Sequence, residues 1–532
     1  MNIGIDIDNT IINYQGSFIK CAKKFELIPL KWVGTKLDLK ATIIRQVDGN
    51  KKWERLQGKV YGEWIENAEI NSGVKRFLSR GKLHNFSCVA ISHKTLYGHY
   101  DEKNINLQKA ATNFLIKNNI IKVNAKLLTN IYFSETKEEK INLINNCNLD
   151  FFIDDLPEIL LNKKIAKTTT KILFDPYNEN QNFAGLRFLN FDSISNFIMG
   201  EWSKKDFLLL SNQNKKFYFS ELNPVNGGGN SKILKGKDIN SKDIIIKFYP
   251  SDNTHNRMLS EYKGLQKISL ISDKVPKTFN FNKELNFGVY EWINGDPIKN
   301  PSKNDINQAI IFLKKLHENR NSNFFKNFQN ASASCFSGKD IENQLYKRLK
   351  SFEKVNNNNL QHFLKNDFSK NLEIMLAKAK KNKNYFNSKI INDYKTLSPS
   401  DFGFHNALKK KDGNIYFIDF EFFGIDDPSK LISDFYFHPG MDLDLNLKKY
   451  WLENVIKIYD KAILDRLKYF MPLYGMCWIL IILNDFKHDV WLKRVSANQS
   501  KIKWNNKTQN DKLLKVSENL EYLIHFNLEL EL

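Results

Sequence analysis

The sequence predicts an α/β protein with two parts: a doubly wound parallel sheet over residues 1–200 and an α+β domain over residues 216–495. Through the first part, short β-rich runs alternate with amphipathic helical stretches, which is typical of parallel sheets. Near residue 212 this alternation changes to a β-hairpin pattern, and from residue 302 the pattern is mostly helical. We therefore expect a linker at 201–215 and a helical extension at 496–532.

Five β-rich runs define the predicted parallel sheet. They cover residues 2–7, 87–91, 126–133, 151–153 and 171–174, and an amphipathic helix is predicted at 137–146. Polar residues follow three of these runs: Asp6 and Asp8 the first, Ser92 the second, and Asp154 and Asp155 the fourth. Because ligands bind at the carboxyl ends of parallel strands, we expect these side chains to share one site.

These residue types suit phosphoryl chemistry. Of two carboxylates that lie two residues apart, one can attack as a nucleophile and the other can transfer a proton. A carboxylate that attacks a phosphoryl group needs a cation to offset the repulsion, and a third carboxylate would complete an oxygen-rich Mg²⁺ site. A serine and a lysine would hold the phosphoryl oxygens. The alternative interpretation is that Asp6 and Asp8 are turn residues that cap a helix.

Four segments in this order resemble the haloacid-dehalogenase-like (HAD) phosphohydrolases. The first reads Asp-Ile-Asp-Asn-Thr from Asp6, the second is an apolar strand with Ser92, the third supplies a lysine, and the fourth is an apolar strand with Asp154 and Asp155. The resemblance implies a HAD-like doubly wound parallel sheet with a helical cap inside residues 11–86. It also implies that phosphomonoesters are hydrolysed through an aspartyl-phosphate.

The same resemblance implies a role for each matching residue. Asp6 would be the nucleophile and Asp8 the general acid/base. Mg²⁺ would be bound by Asp6, the backbone carbonyl of Asp8, and Asp154. The phosphoryl group would be stabilised by Ser92 and Lys140, with Lys137 as a competitor for the lysine role. Beside Ser92, His93 and Lys94 are candidate substrate contacts.

The second part opens with a glycine turn between β-rich runs at 217–222 and 233–234. Glycines let backbone N–H groups approach phosphates closely. A third run, at 244–249, contains Lys247, and Glu261 follows in a helical pattern. A strand lysine paired with a helix glutamate is how kinases hold the phosphates of a nucleotide.

The stretch 398–421 carries the strongest pattern of the second part. Asn406 lies five residues after Asp401, and Asp419 stands at a predicted strand end about 13 residues further on, as the base and two metal ligands of kinases do. With this spacing, residues 212–490 resemble the aminoglycoside phosphotransferase/choline kinase-like family. The resemblance implies a bilobal protein-kinase-like (α+β) fold, with an N-lobe at 216–295 and a helical C-lobe at 296–495.

By this resemblance the second part uses ATP and Mg²⁺. Asp401 would be the catalytic base, and Asn406 and Asp419 would bind the metal. The residues implied to place ATP lie in the N-lobe: Gly227, Gly228, Asn230, Ser231, Lys247, Glu261, Glu291 and Ile293. We expect Glu421 and Asp434 to be structural or to face the substrate.

The catalytic loop departs from the family at two positions. The family has a histidine two residues before its catalytic aspartate and a glycine directly before it, where this chain has Pro399 and Ser400. A kinase-like half that binds a ligand and regulates the phosphatase without catalysis is therefore an alternative.

Composition narrows the classes of function. The 532 residues are 42% hydrophobic and 26% charged, which is ordinary for a soluble globular protein. The net charge of +21 is spread along the chain and comes mainly from lysine, so it indicates compositional bias at least as much as a polyanion site. A nucleic-acid end-repair kinase–phosphatase would fit this charge, but the P-loop pattern GxxxxGK[ST] of such kinases is absent from the sequence.

The remaining features favour a cytoplasmic protein. The five cysteines are odd in number and widely spaced, the N-terminus lacks a signal-peptide pattern, and the apolar run 471–483 is too short to span a bilayer. We therefore expect a bifunctional enzyme, a phosphatase fused to a kinase for a sugar or amino-alcohol hydroxyl, in cell-surface carbohydrate metabolism. Its expected partners are a small phosphate ester and a hydroxyl acceptor, with neither nucleic acid nor membrane.

Overall fold

The computed structural model describes residues 1–30, 32, 34–100, 103–121, 127–225, 231–250, 256–326, 328–353, 355–441, 443–487, 490 and 506–528. The chain is a mixed α/β protein that divides into two compact units. The first unit is Met1–Ser220 with Asn282–Asn286, and the second is Glu221–Phe281 with Phe287–Leu532.

A six-stranded parallel sheet forms the centre of the first unit, with the strand order β5-β4-β1-β6-β7-β8. Its strands are β1 (Asn2–Ile5), β4 (Ser87–His93), β5 (Asn130–Ser134), β6 (Phe151–Asp154), β7 (Thr170–Phe174) and β8 (Leu186–Phe188). The chain starts in the middle of the sheet and builds outward in both directions, so the site-forming strand ends flank β1. Of the run predicted at 126–133, residue 126 lies outside the described residues, and among the others the strand begins at Asn130. Strand β8 was not predicted, since it is a three-residue edge strand.

Two short strands and nine helices complete the described part of the first unit. The strands β2 (Ile12–Asn13) and β3 (Glu69–Ile70) pair as an antiparallel ribbon. The helices are α1 (Gln15–Lys24), α2 (Lys36–Ile44), α3 (Gly49–Tyr61), α4 (Val74–Leu83), α5 (Leu107–Lys117), α6 (Lys137–Asn146), α7 (Pro157–Leu160), α8 (Phe191–Met199) and α9 (Lys204–Gln213). Helices α1–α3 lie between β2 and β3, within the stretch predicted to hold a helical cap.

Residues 201–215, predicted to be a linker, contain α9 instead. This helix begins with a capping box in which Ser203 and Asp206 satisfy each other's backbone N–H groups. Asp206 also accepts hydrogen bonds from buried Arg80 of α4 (Nε–Oδ1 2.8 Å) and interacts with His84, the residue directly after α4 (Nε2–Oδ1 2.9 Å). A buried arginine needs a charged partner, and this ion pair makes α9 part of the first unit.

The second unit begins with a five-stranded sheet in the order β12-β13-β11-β10-β9, in which β11 runs antiparallel to β10 and β13. The strands are β9 (Ser220–Val225), β10 (Lys232–Lys237), β11 (Asp243–Phe248), β12 (Thr278–Asn282) and β13 (Phe287–Glu291), with helix α10 (Arg257–Ile268) between β11 and β12. The run predicted at 217–222 starts too early, because Phe217 belongs to a 3₁₀ turn.

Helices dominate the rest of the second unit. They are α11 (Lys303–Glu318), α12 (Gly338–Lys350), α13 (Asn358–His362), α14 (Ser369–Lys380), α15 (Lys383–Asn387), α16 (Pro428–Phe437), α17 (Leu445–Val455), α18 (Ala462–Ile482) and α19 (Asn506–His525). Short strands among them are β14 (Asp296–Pro297), β15 (Thr396–Ser398), β16 (Ala407–Lys409), β17 (Ile415–Phe417) and β18 (Gly424–Asp426). A π-helical turn spans Phe363–Phe368, and 3₁₀ turns of this unit span Asn392–Tyr394, Phe404–Asn406, Ile456–Ile458 and Leu483–Phe486. In the first unit, 3₁₀ turns span Ile65–Asn67 and Lys215–Phe217.

The apolar run 471–483 lies in helix α18 and the first residue of the 3₁₀ turn that follows it, and the two together are longer than that run. In the described part of the chain, Ala462–Phe486 is long and apolar enough to cross a membrane, and 67% of its most apolar stretch is buried inside the protein. Val516, Leu520 and Leu523 of α19 are buried in the same hydrophobic cluster as α18. The predicted extension at 496–532 is therefore, over α19, part of the helical core.

Candidate active sites

In the first unit, a buried lysine lies between two carboxylates from neighbouring strands. Asp6 directly follows β1, Asp154 ends β6, and the backbone N–H of Asp6 donates to Ile153 O at 2.9 Å. The Lys140 ammonium, from α6, lies 2.6 Å from Asp6 Oδ1 and 2.7 Å from Asp154 Oδ2. The other lysine candidate, Lys137, is instead exposed and pairs with Glu158 at 2.7 Å. The parallel sheet thus brings Asp6, Asp154 and Lys140 together.

The electrostatics of this cluster favour a cation. Burial raises the pKa of Asp6, and burial together with the Asp154 charge raises the pKa of Asp155 to about 7. Burial opposes the charge of Lys140, but Asp154 and Asp6 raise the pKa of its ammonium above the ordinary value. Carboxylate oxygens of Asp6, Asp154 and Asp155 lie within 4.8 Å of one another. Three such oxygens fit a hard divalent cation such as Mg²⁺.

The other predicted residues of this site lie at its edges. The Ser92 hydroxyl, near the end of β4, is fully buried and has no hydrogen-bond partner among the residues that the structure describes. Asp8 Oδ2 lies 2.8 Å from the Lys94 ammonium, and Asp8 Oδ1 is buried without a hydrogen-bond partner. The Thr10 hydroxyl donates to Asp155 Oδ1 at 3.4 Å. Unpaired buried oxygens are costly, so Ser92 and Asp8 are suited to bind a ligand.

Two residues near this site were not predicted from the sequence. Lys36 is the first residue of α2 and Tyr61 the last residue of α3, and both approach the Asp8 turn. Lys94, predicted as a candidate substrate contact, lies 4.2 Å from the centre of the Tyr61 ring. No local pattern marks Lys36 or Tyr61, because tertiary packing alone brings them to the strand ends.

The second unit also places a buried lysine between carboxylates. Lys247 Nζ, on β11, lies 2.7 Å from Glu261 Oε2 of α10 and 2.6 Å from Asp419 Oδ1. Glu261 is held in turn by the Tyr249 hydroxyl at 2.6 Å and by the backbone N–H of Phe420 at 3.2 Å. Burial opposes the charge of Lys247, but Asp419 and Glu261 raise the pKa of its ammonium.

Glu421, expected from the sequence to be structural or to face the substrate, lies in the Lys247 cluster. Its Oε2 lies 3.6 Å from Lys247 Nζ and accepts from the Ser231 hydroxyl at 3.3 Å, and its Oε1 accepts from Arg257 at 3.1 Å. Burial and the charge of Asp419 raise the pKa of Glu421 to about 7. Oxygens of Glu261, Asp419 and Glu421 lie within 4.8 Å of one another, so a cation fits here as well.

The remaining N-lobe residues are less informative. Gly227, Gly228 and Asn230 lie outside the described residues. Glu291 ends β13, where its carboxylate accepts the N–H of Lys277 at 3.1 Å, and Ile293 is buried just beyond it.

The predicted catalytic loop is ordered by local hydrogen bonds and unusual backbone angles. Asn406 Nδ2 donates to the Asp401 carbonyl at 2.9 Å and to Asp401 Oδ2 at 3.3 Å. The Asn406 carbonyl accepts the N–H of Ile418 at 2.9 Å, so the backbone sets Asn406 beside the residue that precedes Asp419. Ser400 and Asp419 have φ values of 69° and 65°. Such strained angles cluster at functional sites.

Two histidines hold the other side of the Asp401 carboxylate. His405 Nε2 lies 3.2 Å and His438 Nε2 3.5 Å from Asp401 Oδ1, and their rings stack at 3.7 Å. His438 Nδ1 accepts the N–H of Gly440 at 3.0 Å. Burial and His405 lower the pKa of His438 to about 4, so its neutral ring carries the proton on Nε2, facing Asp401. Histidines therefore contact Asp401 even though Pro399 replaces the one expected before it.

Asp434 lies on α16, and both of its carboxylate oxygens accept hydrogen bonds. Its Oδ2 accepts from Lys430 at 2.6 Å, and its Oδ1 accepts from the Trp478 indole at 2.9 Å. Trp478 also packs edge-on against His438, with ring centres 4.5 Å apart. Asp434 thereby holds the Trp478 ring in place against His438.

No protein-family model and no curated protein sequence matches the chain. Among solved structures it is similar to spectinomycin phosphotransferase APH(9)-Ia in complex with ADP and spectinomycin, with a TM-score of 0.41, 14% identity, and 61% of this chain and 98% of that chain covered. It is also similar to amicoumacin kinase hAmiN (TM-score 0.39, 13% identity, 60% and 92% covered) and to the choline kinase LicA from Streptococcus pneumoniae (0.37, 12%, 59% and 98%).

Proposed function

We propose that the chain is a bifunctional phosphoryl-transfer enzyme: a HAD-like phosphatase in the first unit and an ATP-dependent small-molecule kinase in the second. One observation carries the proposal. Each unit has a lysine ammonium within 2.7 Å of two carboxylates that come from separate elements. Such clusters offer both a cation site and a cationic group for phosphoryl oxygens.

In the phosphatase, an Asp6 oxygen attacks the phosphorus of a phosphate monoester and the bond to the alkoxide oxygen breaks. Asp8 protonates the leaving alkoxide, then takes a proton from the water that attacks the aspartyl-phosphate, which releases inorganic phosphate and restores Asp6. Ser92 and Lys140 stabilise the charge on the transferred oxygens. Mg²⁺, held by Asp6, the Asp8 carbonyl and Asp154, would supply charge neutralisation.

In the kinase, Asp401 accepts the proton of a substrate hydroxyl, whose oxygen then bonds to the terminal phosphorus of ATP while the bond to ADP breaks. Lys247 holds nucleotide phosphate oxygens and is itself positioned by Glu261. Asn406 and Asp419 would hold Mg²⁺, which neutralises the phosphate charge. His405 and His438 support this proposal, because they orient the Asp401 carboxylate without the usual preceding histidine.

The test is to incubate the full chain with Mg·ATP and a panel of sugars, amino alcohols and their phosphates. Phosphate release and ADP formation are measured separately. We expect Asp6→Asn to abolish only ester hydrolysis and Asp401→Asn to abolish only acceptor-dependent ADP formation. Nucleotide binding without turnover would instead favour a non-catalytic sensor in the second unit.

A further inference from the structure

Besides Lys140, two more lysines reach the Asp8 side of the first site. Lys94, 4% exposed, lies 2.8 Å from Asp8 Oδ2. Lys36 is the first residue of α2, between β2 and β3, and donates to Asn9 Oδ1 at 3.2 Å and to the Tyr61 hydroxyl at 3.4 Å. Their ammonium groups lie 4.2 Å and 5.9 Å from the centre of the same ring, that of Tyr61. Both ammonium groups therefore lie beside the Tyr61 ring and the Asp8–Asn9 turn.

Lys36 has only neutral partners in the described part of the chain. Its ammonium contacts an amide oxygen and a phenol, and it lies 4.6 Å from the centre of the Phe18 ring. Its side chain is partly buried, and this burial lowers its pKa, although Asp155 and Asp8 act in the opposite direction. Holding an ammonium in such a place without a carboxylate is costly unless an anion joins it.

Lys94 forms an ion pair with one oxygen of a single carboxylate in the described part of the chain. Within the described residues its carboxylate partner is Asp8, whose second oxygen is buried and has no hydrogen-bond partner there. Lys140, in contrast, contacts two carboxylates, those of Asp6 and Asp154. The site thus has one lysine, Lys140, for the phosphoryl group under attack. Lys36 and Lys94, on the side of α2 and α3, are left to bind a different anionic group.

We propose that Lys36 and Lys94 form a second anion subsite, and that the phosphate monoester hydrolysed at Asp6 carries another anionic group, a carboxylate or a second phosphate, that binds there. This inference rests on the proposed phosphatase function. Tyr61 forms the floor of the subsite, since both ammonium groups lie against its ring.

The first test compares hydrolysis of four esters. Glycerol 3-phosphate and glucose 6-phosphate have one anionic group, 3-phosphoglycerate adds a carboxylate, and fructose 1,6-bisphosphate adds a phosphate. We expect the wild type to prefer the latter two, and their ranking identifies the anion. Lys36→Met should lower kcat/KM for those two by about 10- to 100-fold, as when an ionic hydrogen bond is lost, and leave the first two unchanged. Lys40→Met is the matched control, because Lys40 is exposed one turn further along α2.

Equal losses on all four esters would overturn the inference, because Lys36 would then act on the transferred phosphoryl group or on folding. No loss on any ester would overturn it as well. The second test does not need catalysis. In the Asp6→Asn variant with Mg²⁺, 3-phosphoglycerate should raise Tm more than glycerol 3-phosphate does, and Lys36→Met should remove the difference. Equal Tm shifts would refute the subsite. This test remains valid if no ester is hydrolysed and the phosphatase proposal fails.

Discussion

The two units hold a lysine between carboxylates at almost the same distances, but they assemble it differently. Lys140 lies 2.6 and 2.7 Å from Asp6 and Asp154, and both carboxylates belong to neighbouring strands of one sheet. Lys247 lies 2.7 and 2.6 Å from Glu261 and Asp419, which come from a helix and from the loop after β17.

The difference lies in what fixes each cluster. In the first unit, the hydrogen-bonded register of β1 and β6 sets the separation of the backbone positions that carry the two carboxylates. In the second unit, the Lys247 cluster exists only while α10 and the 419–421 segment both face β11. Asp419 is also one-third exposed, whereas Asp154 is fully buried. We therefore expect the first cluster to be the more rigid and the second to respond more to ligands.

The largest expected effect separates the two activities. Asp6→Asn should reduce ester hydrolysis by at least about a thousandfold, because an amide cannot replace the nucleophile, and should leave ADP formation unchanged. Phosphate release is measured by colorimetry. Glu158→Gln, a change at an exposed residue of α7, serves as the control. A parallel loss of both activities would show that the sites are not independent.

Asp401→Asn is the reciprocal change. Loss of the proton acceptor should lower acceptor-dependent ADP formation by about 10²- to 10⁴-fold, with ester hydrolysis intact. Coupled ADP detection is the measurement, and Asp412→Asn, in the exposed turn between β16 and β17, is the control. A variant that retains full transfer would remove Asp401 from the base role.

Replacing the two lysines compares the clusters directly. Lys140→Met should lower the free energy of unfolding by about 3–5 kcal/mol, because it leaves buried carboxylates unpaired. Lys247→Met should cost less, because water reaches Asp419, one of its partners. Urea denaturation followed by circular dichroism measures both. A larger cost for Lys247→Met would contradict the proposed difference in rigidity.

His438→Ala should weaken the kinase by about tenfold in kcat while KM for ATP changes little, since the histidine orients Asp401 rather than contacting nucleotide. His438→Gln should recover part of the loss through its amide N–H. If neither variant alters kcat, His438 only fills space beside Trp478.

The smallest effect is a difference in acid stability. Burial and Arg320 lower the pKa of His317 to about 4, below the ordinary 6.5. Between pH 6.5 and 4 the unfolded chain binds a proton that the folded chain does not, so stability falls as the pH falls through this range. His317→Asn should reduce the loss by about 1 kcal/mol, measured from Tm at pH 7.5 and 5. The exposed His362→Asn should have no such effect.

The sequence predicts the first site more completely than the second, for a physical reason. Parallel strand ends meet at one edge of a sheet, so Asp6, Ser92 and Asp154 could be brought together from strand assignment alone. Glu421 could not be placed in its site in this way. Asp419 adopts a left-handed backbone angle and the chain turns there, so the sequence pattern does not predict where the following side chains point. His438 was missed because it lies more than thirty residues beyond Asp401 and meets it only through α16.

The same limit applies to Lys36 and Tyr61, whose positions depend on how α2 and α3 pack. Helix α9 was missed for another reason. Its sequence is short and polar, and only its capping box and the buried Arg80 partner reveal that it is ordered.

The Arg80–Asp206 pair decides where the first unit can be cut. A fragment that ends at residue 200 would keep the fully buried guanidinium and discard the carboxylate that neutralises it. Such truncation should yield insoluble material, while a fragment that ends at residue 220 should be purified as an independently stable domain.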